Sequence, residues 1–217
     1  MEDIVTNFYV NQSVAQYEKS HGPRLNFLVE DLKLGELQNS VIGDFGCGYG
    51  PIFARMGRGK GNEYFGFDGA AVSEEASKVC TYRQTDLNLP FADKFLQECY
   101  KLDIGMTFET IEHLTNPYNC LSEMKKVVKE NGTIIISIPH EQITHNTIYP
   151  GLLYPESNFQ EFLRQMALPV MRHAIHDKSF KQNVYVCRNA PWGESQMRWH
   201  KNEDKFRNIP PVVAVNL

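Results

Sequence analysis

The chain has no surplus of positive charge, no long apolar run and no paired cysteines, and each absence removes a class of function. Its 22 Lys and Arg against 26 Asp and Glu give a formal charge of -4. No general attraction to nucleic acid follows, and only a local patch would supply one. No apolar stretch approaches the ~20 residues that cross a bilayer. The first residues, MEDIVTNFYVNQ, are acidic and polar where a secretory signal is basic and then apolar, so a cytoplasmic protein without membrane attachment is expected. The five cysteines, Cys47, Cys80, Cys99, Cys120 and Cys187, are odd in number, scattered, and without a Cys-x-x-Cys spacing. They read as free thiols rather than as a zinc or disulfide framework. Internal repeats and low-complexity tracts are missing too. The 217 residues, 42% hydrophobic and 22% charged, suit one domain, 1–217, with a core of its own.

What is present is an alternation of strand-like and helix-like segments. Residues 13–34 carry apolar positions at helical spacing, broken near His21, Gly22 and Pro23, and predict two short helices within an N-terminal cap of residues 1–38. Val41, Ile42 and Phe45 end a first buried strand. Pro51 to Met56 suits a short helix with proline in its first turn. Glu63 to Phe67 reads as a second strand ending at Asp68, Val72 to Val79 as a helix, and Cys80 to Gln84 as a third strand. Phe91 to Tyr100 is a helix or irregular crossover, and Leu102 to Phe108 a fourth strand. Pro117 to Glu130 is an amphipathic helix with Asn131-Gly132 as its stop signal. The unalternating TIIISIP is a central strand covered on both faces. A helix over Glu156 to Ala167 precedes two extended runs, PVMRHAIH and NVYVCR, that form an antiparallel edge hairpin around the polar DKSFKQ. The fold expected is α/β: a doubly wound, Rossmann-like, seven-stranded, mostly parallel sheet with an antiparallel edge hairpin, over residues 39–190, followed by a tail at 191–217.

In such folds ligands sit at the carboxyl ends of the strands. The run VIGDFGCGYGP places Gly46, Gly48 and Gly50 at every second position after the first strand, where the backbone turns sharply and approaches something bulky. Asp44, Asp68 and Asp86 gather at three neighbouring strand ends. Asp68, eighteen residues after Gly50, stands where an acceptor for both hydroxyls of a ribose belongs. The dinucleotide fingerprint wants a sixth-position glycine where Pro51 stands, and no Gly-Lys-Ser/Thr ending supports an ATPase phosphate loop.

DFGCGYG resembles motif I of the class I S-adenosylmethionine-dependent methyltransferases. FGFDG, TDLNLPF and the block FETIEHLTNPYNCLSEMKKVVKENGTIIISIPH resemble the following motifs in order, over roughly residues 40–140. The resemblance implies that Asp44, Phe45, Gly46, Cys47, Gly48, Tyr49 and Gly50 border the methionine part of the cofactor. It places Asp68 with Gly69 at the ribose, Asp86 with Leu87 at the adenine edge, and Phe108 or Glu109 on the methyl-donor side. The chemistry implied is in-line displacement, with alignment as the main task of the enzyme and a general base for a poor nucleophile.

Glu109 and Glu112 are three apart and His113 follows, so one helical turn presents them together. This run also resembles the magnesium-binding site of some O-methyltransferases, and a divalent metal held by Glu109, Glu112 and His113 is one reading. The other is a helix start with no metal. Glu109, His113 and His140 are the candidate catalytic residues, and His145 shares the loop after the fifth strand. Tyr17 and Arg24 lie in cap helices that fold over the cofactor in similar enzymes. Arg24 either pairs with the cofactor carboxylate or stays on the surface. Short recognition segments favour a small-molecule or sugar hydroxyl as acceptor; a monomer or homodimer is expected. A non-catalytic S-adenosylmethionine-binding protein and a nicotinamide-dependent oxidoreductase are the rival readings.

Overall fold

The computed structural model describes residues 14–91, 101–140, 147–176 and 181–192. Seven strands form one sheet in the order β3-β2-β1-β4-β5-β7-β6. They are β1 (Val41–Phe45), β2 (Glu63–Asp68), β3 (Thr81–Gln84), β4 (Leu102–Phe108), β5 (Val128–Pro139), β6 (Val170–His176) and β7 (Gln182–Arg188). The first five run parallel, and β7 is antiparallel to both β5 and β6. The helices are α1 (Val14–Asp31), α2 (Pro51–Met56), α3 (Glu74–Val79), α4 (Pro117–Val127), α5 (Pro150–Leu153) and α6 (Glu156–Gln165).

The sheet is covered on both faces because its central strands are apolar on both. Along β5, Ile134, Ile136 and Ile138 join Phe45, Phe67, Leu121, Met124, Phe159 and Leu163 on the face that carries α4 and α6. Ile135 points the other way, to a core of Leu25, Leu28, Ile42, Ile52, Phe53 and Met106 under α1 and α2. Strand periodicity thus assigns each isoleucine to one of two cores. Gly43 in β1 makes this possible at its position, since a Cβ there would lie 2.5 Å from Leu102 Cδ1.

Three expectations change. The cap is one helix of 18 residues, α1, which runs through Pro23. Pro23 itself is exposed while Gly22, Arg24 and Leu25 are buried, so tertiary burial of the flanking residues outweighs the backbone bond that proline forfeits. The helix expected over 117–130 ends at Val127, and Asn131-Gly132 lies inside β5, with Asn131 in the left-handed region at φ 64. The stop comes from far away in sequence: Asn189 Nδ2 donates to the carbonyls of Lys125, Val128 and Lys129. The last large helix closes at Gln165 rather than Ala167. Residues 92–100 of the expected crossover, residues 177–180 of the hairpin connection, His145, Cys99, the first 13 residues of the cap and residues 193–217 of the tail lie outside the described residues.

Candidate functional site

The order of parallel strands reverses between β1 and β4, and the crevice at their carboxyl ends opens into a cavity of about 530 Å³. Its floor is the turn after β1. Gly46 takes φ 87, and a Cβ there would fall 2.2 Å from Thr110 Oγ1. Gly46 and Cys47 donate their amides to Phe67 O, at 2.7 and 3.2 Å. The turn is therefore stitched to β2 before any ligand arrives.

Three carboxylates reach the cavity from three strand ends. Asp68 accepts from Gly48 N at 2.8 Å through Oδ2 and from Ala70 N at 2.9 Å through Oδ1. Each oxygen keeps a lone pair for a further donor. Asp86 accepts from Asn88 N at 2.9 Å and closes the turn before the far wall. Asp44 is only 3% exposed; burial first, then Cys80 and Asp68, raise its carboxyl well above the usual range.

Opposite the turn stands Glu109, which leaves β4 at φ 50, in a region that non-glycine residues adopt at a cost. Ser137 holds it on β5: Glu109 N donates to Ser137 Oγ at 3.1 Å and Ser137 Oγ donates to Glu109 Oε1 at 3.0 Å. Arg24 Nη1 lies 3.3 Å from Glu109 Oε2, both side chains about 95% buried. Burial raises the Glu109 carboxyl and the arginine works against that rise. Arg24 Nη2 also donates to Tyr17 Oη at 3.4 Å.

The cavity collects most of the candidate residues. Asp44, Gly46, Cys47, Gly48, Tyr49, Asp68, Gly69, Asp86, Leu87, Phe108, Glu109 and His113 line it. Phe45 does not; fully buried, it stacks on Phe67 at 4.4 Å in the core. Gly50 precedes α2 at φ 78 and packs toward Val79. His140 does not line the cavity either, and its Nδ1 lies 3.2 Å from Asn183 Oδ1 of β7.

The metal reading of Glu109, Glu112 and His113 is not supported. Among the described residues no three His, Cys, Asp or Glu side chains group as ligands. The segment after β4 is a short 3-10 turn, Ile111–His113, rather than an α-helical turn. Glu109 is engaged by Arg24 and Ser137, while Glu112 is buried away from the cavity and burial, then Glu109, raises its carboxyl well above the usual range.

Arg24 is the reverse of a surface arginine, at 4% exposure against the cavity. A polar clamp escapes sequence reading altogether: Glu18 of α1 pairs with Arg55 of α2 and accepts from Tyr49 Oη at 2.7 Å. No spacing rule links residues 18, 49 and 55. Thr110 and Asn88 also line the cavity, and membership of the FETIEHL and TDLNLPF stretches was the only signal for them.

The fold, the glycine turn and the acidic strand ends are similar to those of the class I S-adenosylmethionine-dependent methyltransferases. Residues 43–136 match the family model described as a methyltransferase domain. Among solved structures, a chain of the complex between the Haloferax volcanii Trm112 methyltransferase activator and a methyltransferase is 16% identical. It has a TM-score of 0.64, with 88% of this chain and 100% of that one covered. A S-adenosylmethionine-dependent methyltransferase from Aquifex aeolicus is 16% identical at TM-score 0.59, covering 85% and 98%. The 1,6-didemethyltoxoflavin-N1-methyltransferase of Burkholderia thailandensis, solved with S-adenosylhomocysteine, is 15% identical at TM-score 0.61, covering 87% and 86%. At such identities these likenesses establish the fold. No curated protein matches the chain. No described helix is long and apolar enough to cross a membrane.

Proposed function

We propose that the protein transfers the methyl group of S-adenosylmethionine to a hydroxyl of a small molecule or sugar. The observation that carries the cofactor placement is the match between acceptors and apolar walls in one cavity. Asp44, Asp68 and Asp86 stand along a surface that also carries Leu25, Ile52, Leu87, Phe108 and Leu114. Asp44 meets the ammonium group, Asp68 the ribose diol, Asp86 with Leu87 the adenine edge, and Arg24 the carboxylate. Bound there, the cofactor supplies a methyl group activated by its sulfonium sulfur. The chain supplies position: near-attack alignment contributes up to ~7 to 11 kcal/mol.

An oxygen nucleophile is supported by His113. His113 lines the cavity beside Leu114 and Thr110, at the end of the turn that follows Glu109. A base in that place takes the proton of an acceptor hydroxyl, a contribution of roughly 10²- to 10⁴-fold. His140 has no such access, and catalysis through it is not part of the proposal.

Calorimetric titration with S-adenosylhomocysteine tests the cofactor placement, with NADH as comparison. Saturable binding of the homocysteine compound is expected. Asp68→Ala is expected to weaken it about tenfold or more, since it removes a charge-assisted acceptor and releases the Gly48 amide. Binding of NADH instead, or an unaffected Asp68→Ala variant, rejects the placement. A panel of hydroxyl, amine and carbon acceptors, with and without magnesium, then separates O-methylation from its rivals, and turnover separates an enzyme from a binding protein.

A further inference from the structure

Two cysteines that are 33 positions apart in sequence meet behind the cofactor turn. Cys47 lies in the turn after β1 and lines the cavity; Cys80 follows α3 and opens the way into β3. Between them runs β2, and its Gly66 has no side chain. A Cβ built on Gly66 would lie 2.7 Å from Cys47 Sγ and 2.8 Å from Cys80 Sγ, and both sulfurs occupy the space that any other residue would fill. The two sulfurs therefore lie side by side over Gly66. Cys47 is 2% exposed, whereas Cys80 is only partly buried and reachable from solvent.

From this geometry we infer that Cys47 and Cys80 form a reversible disulfide that closes the cofactor site under oxidising conditions, a regulation that rests on the cofactor placement proposed above. Reactive thiols are those that ionise and are accessible. Cys80 satisfies both: the Cys47 thiol beside it lowers its pKa, while Cys80 and burial raise that of Cys47. With hydrogen peroxide as oxidant, the Cys80 thiolate attacks one peroxide oxygen. The O–O bond breaks, hydroxide leaves and takes up a proton, and Cys80 becomes a sulfenic acid. Cys47 then attacks the Cys80 sulfur. The S–O bond breaks, and the departing hydroxide takes up the Cys47 proton as water. Two thiols and one peroxide give one disulfide and two waters.

Closure requires the sulfurs to approach to about 2.05 Å. Cys47 cannot follow without its turn, and the Gly48 amide that Asp68 accepts moves with it. The carboxylate assigned to the ribose then loses its position.

The test is calorimetric titration of S-adenosylhomocysteine into the whole chain, reduced, then after stoichiometric peroxide, then after re-reduction. Peptide mapping on the same samples reads the cross-link. Cys80→Ser and Cys80→Ala serve as variants, because neither alters a residue assigned to the site. The expected result is a Cys47–Cys80 linked peptide, affinity weakened about tenfold or more, recovery on reduction, and no peroxide effect in either variant. A cross-linked protein that binds as tightly as the reduced one overturns the inference, as does loss of binding without that linked peptide. If the reduced chain binds no S-adenosylhomocysteine while the linked peptide forms, the cofactor placement has failed and regulation of this site falls with it.

Discussion

With burial, Cys80 and Asp68 all raising its pKa, Asp44 carries a carboxyl that resists ionisation in the free protein. An ammonium group beside it reverses the balance, since an opposite charge favours the ionised form. Cofactor binding is then coupled to loss of a proton, and affinity for S-adenosylhomocysteine rises with pH through the raised pKa of Asp44. Stability moves oppositely: between the unfolded and folded pKa the native state binds more protons, so the free protein loses stability as pH rises. Asp44→Asn removes both effects. It is expected to weaken binding about tenfold while leaving the unliganded protein no less heat-stable above neutral pH. Proton release in buffers of different ionisation enthalpy, with thermal melts of both proteins, checks this. Asp44 was legible as a cavity-lining residue because it stands at a strand end directly before a glycine turn. Phe45 was not separable from its neighbours: strand alternation sends it inward to Phe67, whereas motif membership counted it with the turn.

At the scale of elements, α2 helps to hold α1 over the cavity. The clamp of Glu18 to Arg55 and Tyr49 is partly exposed, and Glu18 and Arg55 are expected to couple by about 0.5–1 kcal/mol in a double-mutant cycle. Arg24 and Tyr17 ride on the same helix, so Glu18→Ala is also expected to weaken S-adenosylhomocysteine binding several-fold. A binding titration of the single and double variants reads both quantities, and an affinity unchanged by Glu18→Ala removes the clamp from the site. The strands were the most legible elements, β4 being found at both its ends, because a buried parallel strand writes itself as an apolar run. Helix ends were less so. The stop at Val127 is dictated by Asn189, whose side chain collects carbonyls from about 60 positions upstream, and no local pattern contains that information. Pro23 misled for the same reason: burial of Gly22, Arg24 and Leu25 is a property of the folded chain.

For the whole molecule, cofactor binding and global stability are linked by mass action. At about 100 times its dissociation constant, a ligand that binds only the native state adds ~2.7 kcal/mol. For a chain of this size, that raises Tm by about 5–10 °C. S-adenosylhomocysteine is expected to give that rise and NADH none, by differential scanning calorimetry. The charge-based reading also belongs at this scale: a formal charge of -4 left no general attraction to polyanions, and acidic strand ends are where the negative charge is useful.

The reversed direction of β7 has an orientational consequence. It returns the chain to the rim where β1 to β5 begin, and there Asn189 exchanges backbone hydrogen bonds with Asn131 and Gly132. The cavity opens at the other rim, a full strand length away, roughly 20 Å. A fluorophore or surface linker attached at exposed Glu130 would therefore tether the molecule with its mouth facing solution, so an immobilised sensor could take up and release ligand as freely as the untethered protein.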